Sequence, residues 1–365
     1  MAYTNIDDPS AHFQTAPLWS GQASQLVITN DGNSDLQPDF VWIKCRNASQ
    51  PFALVDSTRG TSKYLSCAST AAEATDTGRL TSFNTDGFTL GGGSGPVNTG
   101  GGNYVGWQWK ANGGTTTSVS ASGTGSGCVN ACTHQANTTA GFSIITYTGR
   151  DDQLNNGQES KLTHGLGVAP SVFICKRRDG TSNWYYLGGN MSTVNNGWNN
   201  VHLLLNQTAA GNGNSYTSNT EPDSTYIYLG NELVNTVDSW VGYAFAEKQG
   251  YSKFGKYVGN GNADGAFIYT GFQPAWVMIK RTDATADWFI VDTTRNTFNL
   301  TNLYIVTSNE GGEASASAFD LDIISNGFKL RTTSTNSNAS GGAYIYMAFA
   351  ENPFTTSTGI PTTAR

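Results

Sequence analysis

The sequence predicts an all-β protein made of three tandem antiparallel β-sandwich domains, jelly-roll-like in form. Three observations predict it. Gly, Asn, Ser and Thr together make 155 of the 365 residues, while charged residues are 13% and aromatics 12%; neither a disordered chain nor a helical bundle has that composition. The apolar runs are short, β-branched and aromatic, and Pro and polar turn residues bound them, which favours strand over helix. One pattern of such runs occurs three times along the chain, as expected of tandem structural units.

The elements follow in order. Residues 1–15, MAYTNIDDPSAHFQT, form a polar N-terminal arm. Each copy then has a short strand and turn: LWSGQ from Leu18, FSIITYTGR from Phe142 and KYVGNGNADG from Lys256. Next comes a Pro, an apolar run and a basic turn: PDFVWIKCRN from Pro38, PSVFICKRRDG from Pro170 and PAWVMIKRTDA from Pro274. Pro at the first position removes no ladder donor inside the strand. These runs predict buried strands from Phe40, Ser171 and Ala275 in equivalent central positions.

A second aromatic run follows, FALVDSTRG (52–60), NWYYLGG (183–189) and DWFIVDTTRN (287–296), and a third closes each copy, NYVGWQWKA (103–111), SWVGYAFAEK (239–248) and AYIYMAFAENPF (343–354). From the leading Pro to Val105, Val241 and Ile345 the separations are 67, 71 and 71 residues. In between, SFNTDGFTL (82–90) matches IISNGFKL (323–330), each with a Gly where a tight turn enters a strand. The middle copy departs here. The expected domains are 16–111, 141–249 with an insertion at 188–223, and 253–352; 112–140 is a Gly/Ser/Thr-rich linker or loop, and 353–365 a polar C-terminal tail.

Charge and motifs exclude more than they assign. The net charge is −7, and the longest basic cluster is Lys176, Arg177 and Arg178, so no basic stripe suited to nucleic-acid phosphates is expected. No run of eighteen apolar residues predicts a membrane span, and the first ten residues lack the apolar core of a secretory signal. Five cysteines are too few and too odd for a disulfide framework. Cys45 and Cys175 lie in strand-like runs, whereas Cys128 and Cys132, near His134, read as a local disulfide or two thiols before a metal site.

GYSKFGKY, Gly250 to Tyr257, has the Gly and Lys spacing of a phosphate loop, but it ends in Tyr and joins two β repeats. His164, in LTHGLGVAP, reads as a turn histidine. Asp56 with Arg59 recurs as Asp292 with Arg295, which reads as a salt bridge closing a turn rather than as catalytic carboxylates. No cofactor and no catalytic residue is expected. In the Asn/Gly-rich insertion, Trp198 stands among Asn195, Asn196, Asn199 and Asn200. Trp198, Asn196 and Asn199 are therefore the candidate binding residues, since loops carry function and an indole stacks on sugar rings.

Taken together, MAYTNIDDPSAHFQT, QPDFVWIKCRN with LVDSTRG, LTSFNTDGF, YVGWQWKA, EKQGYSKFGKYVGNGNADGAFIYTGFQPAWVMIKR and YMAFAENPF resemble the tandem β-domain virion proteins of marine and freshwater tailed bacteriophages, cyanophages especially. The resemblance covers nearly the whole chain apart from 112–140 and 188–223. It implies a non-enzymatic virion structural protein, first a tail fibre or receptor-binding component and second a capsid decoration or head-fibre protein. A lectin or carbohydrate-active enzyme is the third reading. The expected partners are the chain itself, as a homotrimer, other virion proteins, and a host surface glycan. Synthesis in the bacterial host cytoplasm, without a signal peptide, is the expected route to the particle.

Overall fold

The computed structural model of the chain describes residues 4–92, 95–125, 127–150, 159–189, 191, 198, 201–213, 220–230, 233 and 237–352. The described residues form strands joined by turns and loops, with short 3-10 segments such as Pro9–Ala11 and Ser317–Phe319, and no helix among them is long and apolar enough to cross a membrane.

Each repeat is built on one large antiparallel sheet with the same strand order. An opening strand pairs with the closing strand, which pairs with the Pro-led strand, which pairs with the second aromatic strand. In the first repeat these are Phe13–Thr15, Asn103–Trp109, Phe40–Cys45 and Ala53–Asp56. In the second they are Phe142–Thr148, Ser239–Phe245, Val172–Arg177 and Trp184–Gly188. In the third they are Ser252–Val258, Ala343–Phe349, Trp276–Arg281 and Trp288–Asp292. The register is also shared, with Val105 opposite Lys44, Val241 opposite Lys176 and Ile345 opposite Lys280. Thus the equivalence read from the Pro spacing holds residue by residue, although the second and third Pro-led strands begin one residue later than expected.

A small sheet covers one face of each large one: Leu26–Ile28, Phe88–Leu90 and Leu80–Phe83 in the first repeat, and Phe267–Tyr269, Gly327–Leu330 and Leu321–Ile324 in the third. The middle repeat has Ser160–Thr163 paired with Tyr226–Leu229. Side chains alternate across a strand, so Val41 and Ile43 pack toward the first small sheet, as Phe173 and Cys175, and Val277 and Ile279, do in the other two repeats.

The opposite faces decide the architecture. Phe40 and Trp42, Val172 and Ile174, and Trp276 and Met278 all lie in one common core with residues of the closing and second strands of all three repeats. Phe40 stacks on Tyr243 at 4.3 Å, Trp109 meets Trp276 edge-on at 5.7 Å, and Tyr186 lies 5.0 Å from Trp288. The three sandwich-like units are therefore not independent domains in a row; three sheets close around a shared aromatic centre. Antiparallel strands commonly have one wet face and alternate in polarity. Here both faces are buried, which is why FVWI, VFI and WVMI read as unbroken apolar runs.

Two expected boundaries are corrected. The N-terminal arm is not separate, because Phe13–Thr15 is the opening strand of the first large sheet and Phe13 stacks on Phe349 of the third repeat. Residues 112–140 are not a linker: Thr117–Val119 and Cys132–Asn137 add two strands to the second large sheet, beside Phe142–Thr148. An open strand edge is a row of unpaired backbone groups, and this polar segment covers it. Its start is also pinned, since the buried carboxylate of Asp39 accepts N–H bonds from Ala111, Gly113 and Gly114. GYSKFGKY forms the start of the third repeat's opening strand, and none of the five cysteines, all buried, is disulfide-bonded.

Candidate functional site

The insertion of the middle repeat brings Trp198 inward. Its side chain is 3% exposed and belongs to the second repeat's own core with Leu187, Ile227 and Leu229. Beneath it, Gly188 has φ +88°, and a Cβ there would lie 2.3 Å from the Ser171 carbonyl oxygen and 3.0 Å from the indole. One edge of the ring lines a cleft of about 260 Å3 whose walls include Pro170, Ser171, Glu221, Pro222, Glu247 and Phe254. Of the cleft's carboxylates, Glu247 is held by Lys253 Nζ at 2.5 Å. Asn196 and Asn199 lie outside the described residues. The structure thus makes Trp198 an anchor of the middle repeat that also borders a cleft.

At the junctions between repeats, sequence reasoning missed an arrangement that recurs three times. Lys44, Lys176 and Lys280 occupy the same register position and are all fully buried. Each donates to the carbonyl six residues on: Lys44 to Gln50 at 2.6 Å, Lys176 to Ser182 at 2.8 Å and Lys280 to Ala286 at 2.8 Å. Each also donates to a carbonyl of a neighbouring repeat: Lys44 to Glu310 at 2.9 Å, Lys176 to Thr70 at 3.0 Å and Lys280 to Thr208 at 3.1 Å. The same three carbonyls accept the backbone N–H of Gln50, Ser182 and Ala286. Third repeat meets first, first meets second, second meets third, and the ring closes.

Among the described residues, no carboxylate forms an ion pair with these ammonium groups. Burial pulls Lys176 and Lys280 down to about 8 and lowers Lys44. A neutral amine retains two N–H donors for its two carbonyls, so either protonation state satisfies the cage. The recurring Lys, six residues after each leading Pro, was the sequence signal for it.

The paired Asp and Arg residues also act between repeats. Arg59 Nε meets Asp56 at 2.5 Å and Arg295 Nε meets Asp292 at 2.6 Å, both pairs fully buried and both closing a turn as expected. Asp56 also accepts from Tyr243 of the second repeat at 2.8 Å, and Asp292 from Trp107 of the first at 3.0 Å. At the equivalent positions of the remaining junction stand Gly188 and Met347, so carboxylate and donor are absent together.

Glu73 and Glu313 extend the two networks to Arg178 and Arg46. Burial works against the charge of Glu73, but Arg178 and Arg59 outweigh it and hold its carboxyl below the usual range. The longest basic cluster is thereby engaged: Lys176 in its cage, Arg177 on Asp179 and Asp238, and Arg178 on Glu73. His164 is a buried turn residue whose Nδ1 accepts from Leu166 N while Nε2 faces the Asp223 carbonyl; burial pulls it down to about 4.

With this geometry, the comparison with known families is decisive on membership. The family described as a domain of unknown function, DUF7483, matches residues 8–353. The chain belongs to the DUF7483 family. The match spans all three repeats and the segment between the first and second, so the DUF7483 unit is the whole closed ring and not one sandwich of it. No curated protein and no solved structure matches the chain.

Proposed function

We propose that the protein is a non-enzymatic bacteriophage virion structural protein on the particle exterior, with a tail fibre or receptor-binding component as the first reading. The observation that carries the proposal is the closed ring. Three repeats share one aromatic core, and buried lysines tie each junction through carbonyls rather than through screened surface pairs. Such a body withstands changes in salt and suits a role that is mechanical and exposed. The motifs spread over the chain and their resemblance to phage virion proteins support the same reading.

A capsid decoration or head-fibre role is the second reading, favoured by one feature: three equivalent units around a common centre match a place where three shell subunits meet. Quantitative mass spectrometry of purified particles tests both. A copy number of six, twelve or eighteen supports the tail; a number tied to capsomers supports the shell; absence from the particle sinks both. Assembly as a homotrimer predicts copy numbers divisible by three. Incubation with host polysaccharide is expected to release no new reducing ends. Release that disappears on Glu221→Gln or Glu247→Gln, the carboxylates beside Trp198, would replace this reading with that of a carbohydrate-active enzyme.

A further inference from the structure

We propose that the outer face of the third repeat's small sheet is a binding site for a neutral oligosaccharide, with Phe267 and Tyr269 as its stacking platform. The proposal deepens the receptor-binding reading and rests on it only for the source of the glycan.

Phe267, Ile268 and Tyr269 form an edge strand in which Ile268 points inward while Phe267 and Tyr269 point out, 50% and 61% exposed. Alternate residues on one face lie about 7 Å apart, within the span of adjacent sugar rings. With Phe298, these are the exposed aromatics among the described residues, and all three belong to the third repeat. The sibling repeats provide an internal control. Register places Val27 and Thr29 at these positions in the first repeat, and Lys161 and Thr163 in the second. The fold therefore does not require rings there.

Behind the aromatics, the strand pairing sets Lys329 beside Phe267 and Asp322 beside Lys329. Asp264 meets Lys329 at 2.6 Å and Arg331 at 3.4 Å, and Arg331 meets Asp322 at 3.2 Å. Two cations and two carboxylates thus neutralise one another. The face has no net charge to recruit an ionic ligand, yet its carboxylate and guanidinium edges can bond hydroxyl groups. Gly327, opposite both Tyr269 and Ile324, adds no side chain to that row. An open hollow of about 520 Å3 adjoins this charged edge, lined by Asp264, Leu300, Asp322 and Arg331.

Size selects the occupant. Three strands of three or four residues cover about 10 by 13 Å, far below the ~800 Å2 per partner of a stable protein interface. One to three sugar rings fit that footprint. Their C–H faces lie on the rings and their hydroxyls reach the charged edge.

The test is binding of the purified full-length chain to a printed array of bacterial surface polysaccharides, neutral and anionic, compared with Phe267→Val/Tyr269→Thr. That variant carries the first repeat's own residues and is expected to keep the wild-type melting temperature. Binding to neutral members, reduced at least tenfold in the variant and insensitive to 1 M salt, is expected. If the double change lowers the melting temperature, the single Tyr269→Thr variant decides. No binding on the array, binding unchanged in the variant, binding only to anionic members, or loss of a virion protein contact in place of glycan binding would overturn the site. Failure here leaves the virion reading standing, whereas absence from purified particles removes that reading and leaves this site testable.

Discussion

At the scale of single residues, the buried lysines make the clearest demands. Lys280→Met leaves the Ala286 carbonyl without its side-chain donor, and an orphaned buried polar group costs about 1–3 kcal/mol. The pH dependence has a definite sign. Lys176 and Lys280 titrate near 8 in the folded protein because burial disfavours their charge, and near 10.4 when unfolded. Between those values the unfolded chain binds more protons, so each lysine's contribution to stability rises with pH. The stability gap between wild type and Lys176→Met/Lys280→Met, from urea unfolding, is therefore expected to widen from pH 8 to pH 10. Buried Cys67 and Cys175, pushed up by burial, act oppositely but are present in both proteins and cancel. Trp198→Ala is expected to cost about 3–5 kcal/mol by emptying the middle core, seen as a lower melting temperature.

At the scale of elements, the middle repeat shows how one substitution and one insertion go together. Its siblings place Asp56 and Asp292 at the end of the second aromatic strand, while it places Gly188 there, with Trp198 against the glycine. Gly188→Asp would restore the sibling residue, but the positive φ and the nearby carbonyl make that change destabilising, by about 2 kcal/mol or more in urea unfolding. The segment 112–140 provides a second test. A linker would exchange its amide hydrogens throughout, whereas the ladder from Cys132 to Asn137 beside Phe142–Thr148 and the bonds from Gly113 and Gly114 N–H to the buried Asp39 carboxylate predict slow exchange at both places. Uniformly fast exchange across 132–137 would contradict the pairing.

At the scale of the whole molecule, a shared core makes the repeats interdependent. Three sandwiches with private cores would melt separately, but here the second aromatic strands donate across junctions, Trp184 to the Ser66 carbonyl and Trp288 to the Leu204 carbonyl. The space left at the centre is a void of about 10 Å3 lined by all three repeats, no larger than one water. A single calorimetric transition is expected for the full chain. The fragment 253–352 alone, which would expose Trp276, Met278, Ile345 and Met347 to water, is expected not to fold. Separate transitions, or a cooperatively folded fragment, would show that the repeats are independent domains.

The sequence by itself determined the all-β class and the equivalence of three strands in each repeat, because these follow from local chemistry: Pro ahead of a strand, β-branched and aromatic runs, Gly at tight turns, and a spacing that repeats. It also showed Asp56–Arg59 and Asp292–Arg295 as turn-closing pairs, since partners three residues apart meet whatever surrounds them. Only the tertiary structure decided what the second face of each large sheet touches. An unbroken apolar run such as FVWI requires burial on both sides but does not say against what, and the answer, two other repeats, lies far away along the chain. Trp198 and Phe267 were likewise indistinguishable as letters in a turn-rich sequence. One is buried and the other exposed because burial depends on neighbours brought close by folding, not on neighbours in sequence.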